Sequence, residues 1–174
     1  MAYEPGPAHG ARIEKDGDTW TLVVERLLAH PPERVWEAIT DPEHLAAWAP
    51  FDADRSLAAP GPVMLSTTGT PQAAECIVQR AIAPTLLEYN WGAQNLRWEL
   101  ERLETGTRLT LWHHIDRRYI AMGAAGWHLC FDVLDHLLRG TPVGRHVGPE
   151  MMKFPGWQRL HAEYTAQFGL SAAS

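Results

Sequence analysis

Few side chains in this sequence are placed to do chemistry, and their spacing narrows what that chemistry is. His113 falls in the run RLTLWHHI, where it alternates with Leu109, Leu111 and Ile115. In a strand those four share one face. The imidazole then points with the aliphatic side chains toward an interior, where it can hydrogen-bond a bound molecule or titrate near neutral pH. A core histidine satisfied by a backbone carbonyl or a tyrosine is the alternative. His128, Asp132 and His136 recur every fourth residue. On a helix they share a side, and their types suit a transition metal. The outer pair would stand about 12 Å apart along the axis, too far to share one ion. We therefore expect a solvated helix flank here and no metal. Glu75 and Glu88 have the chemistry of an acid–base pair, but nothing sets their distance, and surface charges on neighbouring strands are the expectation. The sequence has no GxSxG elbow, phosphate loop or HExxH helix, which argues against a hydrolase, a nucleotide-binding enzyme or a zincin.

The aromatic residues are the second chemical feature. Trp occurs eight times, against four Tyr and four Phe. Each indole adds a large apolar surface and a single N–H donor, which suits the wall of a pocket as well as a core. Trp91, Trp98 and Trp127, with Trp36 and Trp48, are candidates for a wall around a flat or apolar ligand. Together with His113 they form the candidate binding set; plain core packing is the alternative. No cofactor is expected.

These residues need elements to hold them. A strand-like run over residues 19–28 is followed by Pro31-Pro32 and a short amphipathic helix over 33–40. Asp41-Pro42 then opens a second short helix that closes at Trp48, with Asp41 as its cap and Pro42 at its first position. Residues 49–62 contain three prolines and a glycine and read mostly as loop. Five strands follow, at about 62–68, 74–82, 86–91, 96–103 and 108–115, separated by turn residues as in an antiparallel meander. Leu96, Trp98 and Leu100 alternate with charged residues and should face the concave side with Leu109, Leu111 and His113. A long helix over 121–138 carries Trp127, Phe131, Leu134 and Leu138 at three- and four-residue spacing. The expected α+β fold is a curved antiparallel sheet wrapped around this long helix, with a cavity between them.

Composition removes other functions. The net charge is −6 and the longest basic run is Arg117-Arg118, so no nucleic-acid backbone is expected as partner. No apolar run approaches the ~20 residues of a membrane span, and the first residues do not resemble a signal peptide. Cys76 and Cys130 lack metal or redox spacing. We expect a cytoplasmic chain with two reduced thiols, a flexible segment over 1–10 and a single domain over 11–174. The last helix, about 157–168, aligns Trp157, Leu160, Tyr164 and Phe168. It is expected to pack on its own domain, or alternatively across the twofold axis of a homodimer.

The order of PPERVWEAITDPEHLAAW, TRLTLWHH and AAGWHLCFDVLDHLL resembles the START-like SRPBCC superfamily. Within it the likeness is to bacterial proteins named after the activator of the heat-shock protein 90 ATPase. The resemblance covers residues 19–138 and the terminal W..L...Y...FG. It implies a helix-grip fold with a hydrophobic tunnel under the long helix. It transfers no catalytic signature; only His113 and Gly126-Trp127-His128 match recurring positions. The function implied is binding of a small apolar or aromatic molecule. The alternatives are an enzyme of cyclase or dehydratase type using the same cavity, and a co-chaperone-like interaction module, which the family name alone suggests.

Overall fold

The computed structural model describes residues 3–70 and 72–170. Among these, eight strands form one antiparallel sheet in the order β1-β2-β8-β7-β6-β5-β4-β3. The strands are β1 (Ala11–Asp16), β2 (Thr19–Leu28), β3 (Phe51–Ala53), β4 (Gly61–Thr67), β5 (Ala73–Ile82), β6 (Leu86–Trp91), β7 (Gln94–Leu103) and β8 (Gly106–His114). Among the described residues there are also four α-helices, α1 (Pro32–Thr40), α2 (Pro42–Trp48), α3 (Ile120–Leu138) and α4 (Pro155–Gln167), and two short 3-10 turns, Arg117–Tyr119 and Pro149–Lys153. The expected helix-grip architecture is present, with α3 held in the curl of the sheet.

Local chemistry accounts for the elements. On β7, Leu96, Trp98 and Leu100 are buried while Arg97, Glu99 and Glu101 face outward, the period of two that one covered sheet face imposes. The same period buries Leu109, Leu111 and His113 on β8. The β7–β8 turn requires glycine: Gly106 has φ +150°, and a Cβ there would lie 2.0 Å from the Leu28 carbonyl oxygen. On α1, Val35, Trp36 and Ile39 are buried. The Asp41 carboxylate caps α2 by accepting the Glu43 N–H at 2.8 Å, and the Trp48 indole donates to the Ala38 carbonyl at 2.9 Å, fastening α2 to α1.

The core lies between sheet and α3. Phe131 and Leu134 are fully buried there and Leu138 nearly so. α4 packs on the far side of α3 and buries Trp157, Leu160 and Tyr164 within its own chain.

Two parts differ from expectation. The stretch read as loop contains β3, because Phe51 is fully buried and its backbone pairs with Thr67 of β4. A three-residue strand just after Pro50 shows no period of its own; its partner comes later in the chain. Of the segment 1–10, expected to be flexible, residues 1–2 lie outside the described part. Residues 3–10 are lodged against α3 and α4. Arg159 donates to the Pro5 and Gly6 carbonyls, at 2.5 and 3.0 Å. The Ala8 N–H reaches Glu163 at 2.8 Å, and the Tyr164 hydroxyl meets the backbone of His9. Proline and glycine content is blind to such contacts, which side chains from the other end of the chain supply.

Candidate functional site

One end of the groove is filled by side chains and the other is not. Around Phe131 and Leu134, α3 presents large residues to the sheet. Its first half reads IAMGAAG; Gly123 lets α3 close on Ile115, and Gly126 leaves room. A cavity of about 420 Å³ lies there, between the start of α3 and the ends of β4, β6, β7 and β8. Its volume is that of a small-molecule site.

Trp91, His113 and Trp127 form the aromatic wall. Gly123, Gly126 and Cys130 form the helical side. Val147, Met151 and Met152, from the segment after α3, and Trp157 of α4 close over it. Tyr119 and Met152 stand at its mouth, 48% and 42% exposed although large and apolar. The closing segment is pinned in two places. Arg145 donates to the Ala49 and Phe51 carbonyls at 2.7 and 2.9 Å and pairs with Asp52. Gly69, at φ +89°, lies so close to Pro149 that a Cβ would come within 2.5 Å of its ring.

His113 is the centre of the polar part. The Trp127 indole N–H donates to its Nδ1 at 2.9 Å. An indole can only donate, so Nδ1 is unprotonated and Nε2 carries the hydrogen. Nε2 meets Gln94 Oε1 at 2.5 Å, and the amide oxygen is the acceptor. Burial drives the His113 pKa down to about 3, with His114 pushing the same way. The imidazole is therefore neutral and both its nitrogens are engaged by protein. It holds Trp127 and Gln94 in place and has no free nitrogen for a ligand or a metal. Its satisfying partners are a tryptophan and a glutamine rather than a carbonyl or a tyrosine.

The remaining predicted residues lie deeper. Trp98 packs edge-on behind Trp127, centroids 5.5 Å apart, and donates to the Tyr89 hydroxyl at 3.1 Å. Trp48 stands edge-on to Trp98 at 6.0 Å, and Trp36 is buried under α1. None of these three lines the cavity; Trp98 and Trp48 stand behind its wall. Trp91 does, and its N–H is taken by the Thr67 hydroxyl at 2.9 Å. Sequence reading missed Gln94, Trp157 and the methionines of the closing segment. A lone Gln at a strand start and a loop methionine carry no periodic signal.

Other chemical candidates resolve differently. His128 and Asp132 are not a solvated flank. His128 is 1% exposed, its Nδ1 lies 2.7 Å from the Tyr164 hydroxyl and its Nε2 3.5 Å from Asp132. Asp132 accepts from Arg26 at 2.5 Å and from the Tyr3 hydroxyl. Burial lowers the His128 pKa to about 4, although Asp132 opposes. His136 is half-buried beside Thr141 at the end of α3. Glu88 is held by Arg80 and Asn95. Desolvation works against its charge, but those bonds outweigh it and keep its pKa low. Glu75 is exposed on β5 opposite Met64, so the two glutamates share no site. Cys76 and Cys130 are free and buried, and burial pushes the Cys130 thiol up to about 12. Glu37, Asp41 and His44 bring ligand atoms within 4.8 Å of one another, but at the α1–α2 junction, outside the cavity. Among the described residues no helix is long and apolar enough to cross a membrane.

Solved structures share this fold. CalU16 from Micromonospora echinospora is similar over 90% of this chain and 93% of its own, at 22% identity and a TM-score of 0.63. A protein from Mesorhizobium loti matches over 70% of this chain and 98% of its own, at 27% identity and a TM-score of 0.61. An AHSA1-like protein from Aeromonas hydrophila matches over 69% and 92%, at 17% identity and a TM-score of 0.56. No curated protein sequence matches. The family model described as "Activator of Hsp90 ATPase homolog 1-like protein" spans residues 29–139, from the end of β2 through α3. With the grip of sheet on helix and the wall of Trp91, His113 and Trp127 inside that span, the chain belongs to the Activator of Hsp90 ATPase homolog 1-like family.

Proposed function

We propose that this protein binds a small apolar or aromatic molecule in the cavity beside the first half of α3, in the cytoplasm, with residues 11–174 acting as one domain. The observation that carries this reading is the character of the lining. The cavity of about 420 Å³ is walled by tryptophan, methionine and aliphatic residues, and no Asp, Glu, Lys or Arg lines it among the described residues. Burial of a ligand there contributes about 0.8 kcal/mol for each CH2-sized unit removed from water. The exposed Tyr119 and Met152 mark the route in.

Binding is favoured over cyclase or dehydratase chemistry by the state of the polar groups. Such chemistry needs a poised acid and base within reach of the substrate. Here the one histidine in the wall is neutral with both nitrogens engaged, and the one thiol is held protonated. The test is titration with apolar fluorescent probes, read by quenching of tryptophan emission, on the full chain and on Gly126→Leu. A saturable response that the leucine abolishes is expected. Equal responses from both proteins would move binding to the outside surface and end this reading.

A further inference from the structure

Resting on that cavity reading, we propose that the ligand is a neutral aromatic ketone or quinone, held by donors from Gln94 and Trp157 that find no partner among the described residues.

The polarity of the wall follows from one donor. Trp127 gives its N–H to His113 Nδ1 at 2.9 Å, so His113 gives Nε2–H to Gln94 Oε1 at 2.5 Å. That fixes the Gln94 amide with its oxygen spent, and its NH2 has no hydrogen-bond partner among the described residues. Trp157 supplies a second donor. It lines the cavity at 5% exposure, and its indole nitrogen is buried without a partner. Thr68 adds a buried hydroxyl oxygen, also unpaired, from the end of β4. Trp91 is not free, since Thr67 takes its N–H. Three elements thus bring unpaired polar atoms to one apolar cavity, and two of the three groups can only donate.

Of these the Trp157 nitrogen and the Thr68 hydroxyl are buried, while Gln94 is half-buried; buried polar groups in folded proteins are nearly always paired, so a ligand that fits supplies an acceptor. A hydrocarbon supplies none. An anion supplies one, but no cationic side chain lines the cavity to offset the loss of its hydration. A cation has no carboxylate to meet. A carbonyl oxygen on a flat ring system satisfies the donors and leaves the rest of the molecule to Trp91 and Trp127. Trp157 lies outside residues 29–139, the span of the family match, so this donor belongs to the part of the chain that closes the cavity rather than to the shared core.

The probes are fluorenone, fluorene and fluorene-9-carboxylate, which share one tricyclic skeleton, titrated into the full chain at pH 7.5 by calorimetry. Fluorenone should bind about five- to tenfold more tightly than fluorene, the net worth of one neutral hydrogen bond, and the carboxylate most weakly. Trp157→Phe keeps the ring and removes the N–H. It should erase the preference for fluorenone while leaving fluorene binding unchanged. Thr68→Val is the second variant if Trp157→Phe melts early, and it should narrow the same gap. Fluorene binding as well as fluorenone, the carboxylate binding best, or a Trp157→Phe loss shared equally by both neutral probes overturns the ketone assignment and leaves the cavity reading standing. Failure of all three probes to bind the wild-type chain overturns both.

Discussion

At the scale of single residues, His113 joins the wall to the sheet. Its two nitrogens satisfy a buried indole and a strand amide, so His113→Ala leaves both groups without a partner and opens a void. Each unpaired group costs about 1–3 kcal/mol, and urea unfolding should show a loss of about 2–4 kcal/mol. A loss well under 1 kcal/mol would mean that the Trp127 bond contributes nothing. The buried histidines also set an acid limit. Folded pKa values of about 3 for His113 and about 4 for His128 lie below the ordinary 6.5. Below pH 6.5 the unfolded chain takes up protons that the folded chain refuses. Their contribution is thus complete above 6.5 and falls by roughly 1.4 kcal/mol per pH unit for each as the pH drops toward 4. Unfolding midpoints at pH 7.5, 6 and 5 should decline steadily, and a flat profile would show that both histidines accept protons while folded. The alternation around His113 was readable in the sequence and placed it on the right face with Trp98. Face is not depth, however. Trp98 shares that face and still lies behind Trp127, because what covers a strand residue comes from another element.

At the scale of elements, α3 does two jobs along its length. Its second half is a conventional apolar stripe, legible from the spacing of Trp127, Phe131, Leu134 and Leu138. Leu134 is fully buried, and Leu134→Ala should cost about 2–5 kcal/mol by thermal or urea unfolding. The first half is unusual for what it omits. A Cβ on Gly126 would meet the Met151 methyl carbon at 3.6 Å, an ordinary contact. Gly126→Ala should therefore keep the fold and add up to about 1 kcal/mol from helix propensity. Gly126→Leu should keep it too while filling the cavity. If Gly126→Ala itself destabilises the chain, the glycine serves packing rather than space. A run of small residues in a sequence does not distinguish these two uses; a close helix contact and an empty volume both need them. The meander strands were legible because turn residues separate them and the last two, β7 and β8, carry a clear alternation. β3 was not, since three residues are too few to show a period.

At the scale of the whole molecule, the segment before β1 and the helix α4 hold one another. Residues 3–10 run along α3 and α4 on the side of α3 away from the cavity, where His128 and Asp132 face. Tyr3 reaches Asp132, which also pairs with Arg26 of β2, so strap, helix and sheet meet at one carboxylate. Arg159, Glu163 and Tyr164 of α4 take up the strap backbone, and Tyr3 stacks beside Phe154, just before α4 begins. None of this was visible in the sequence, where Tyr3 and Asp132 are 129 positions apart. Removing residues 1–9 takes the partners from several α4 side chains and uncovers Phe154. Those groups return partly to water, so the loss per bond is nearer 0.5–1.5 kcal/mol than the full burial penalty. A total loss of about 2–4 kcal/mol in urea is expected, with Tyr3→Phe alone giving about 1 kcal/mol. The deletion should also expose the α4 amides first in hydrogen exchange, since α4 then keeps only its contacts with α3 and with the segment just before it. Uniform exchange across both helices would mean that α4 and α3 open together, and an unchanged midpoint would mean that the strap rests on the surface without stabilising it.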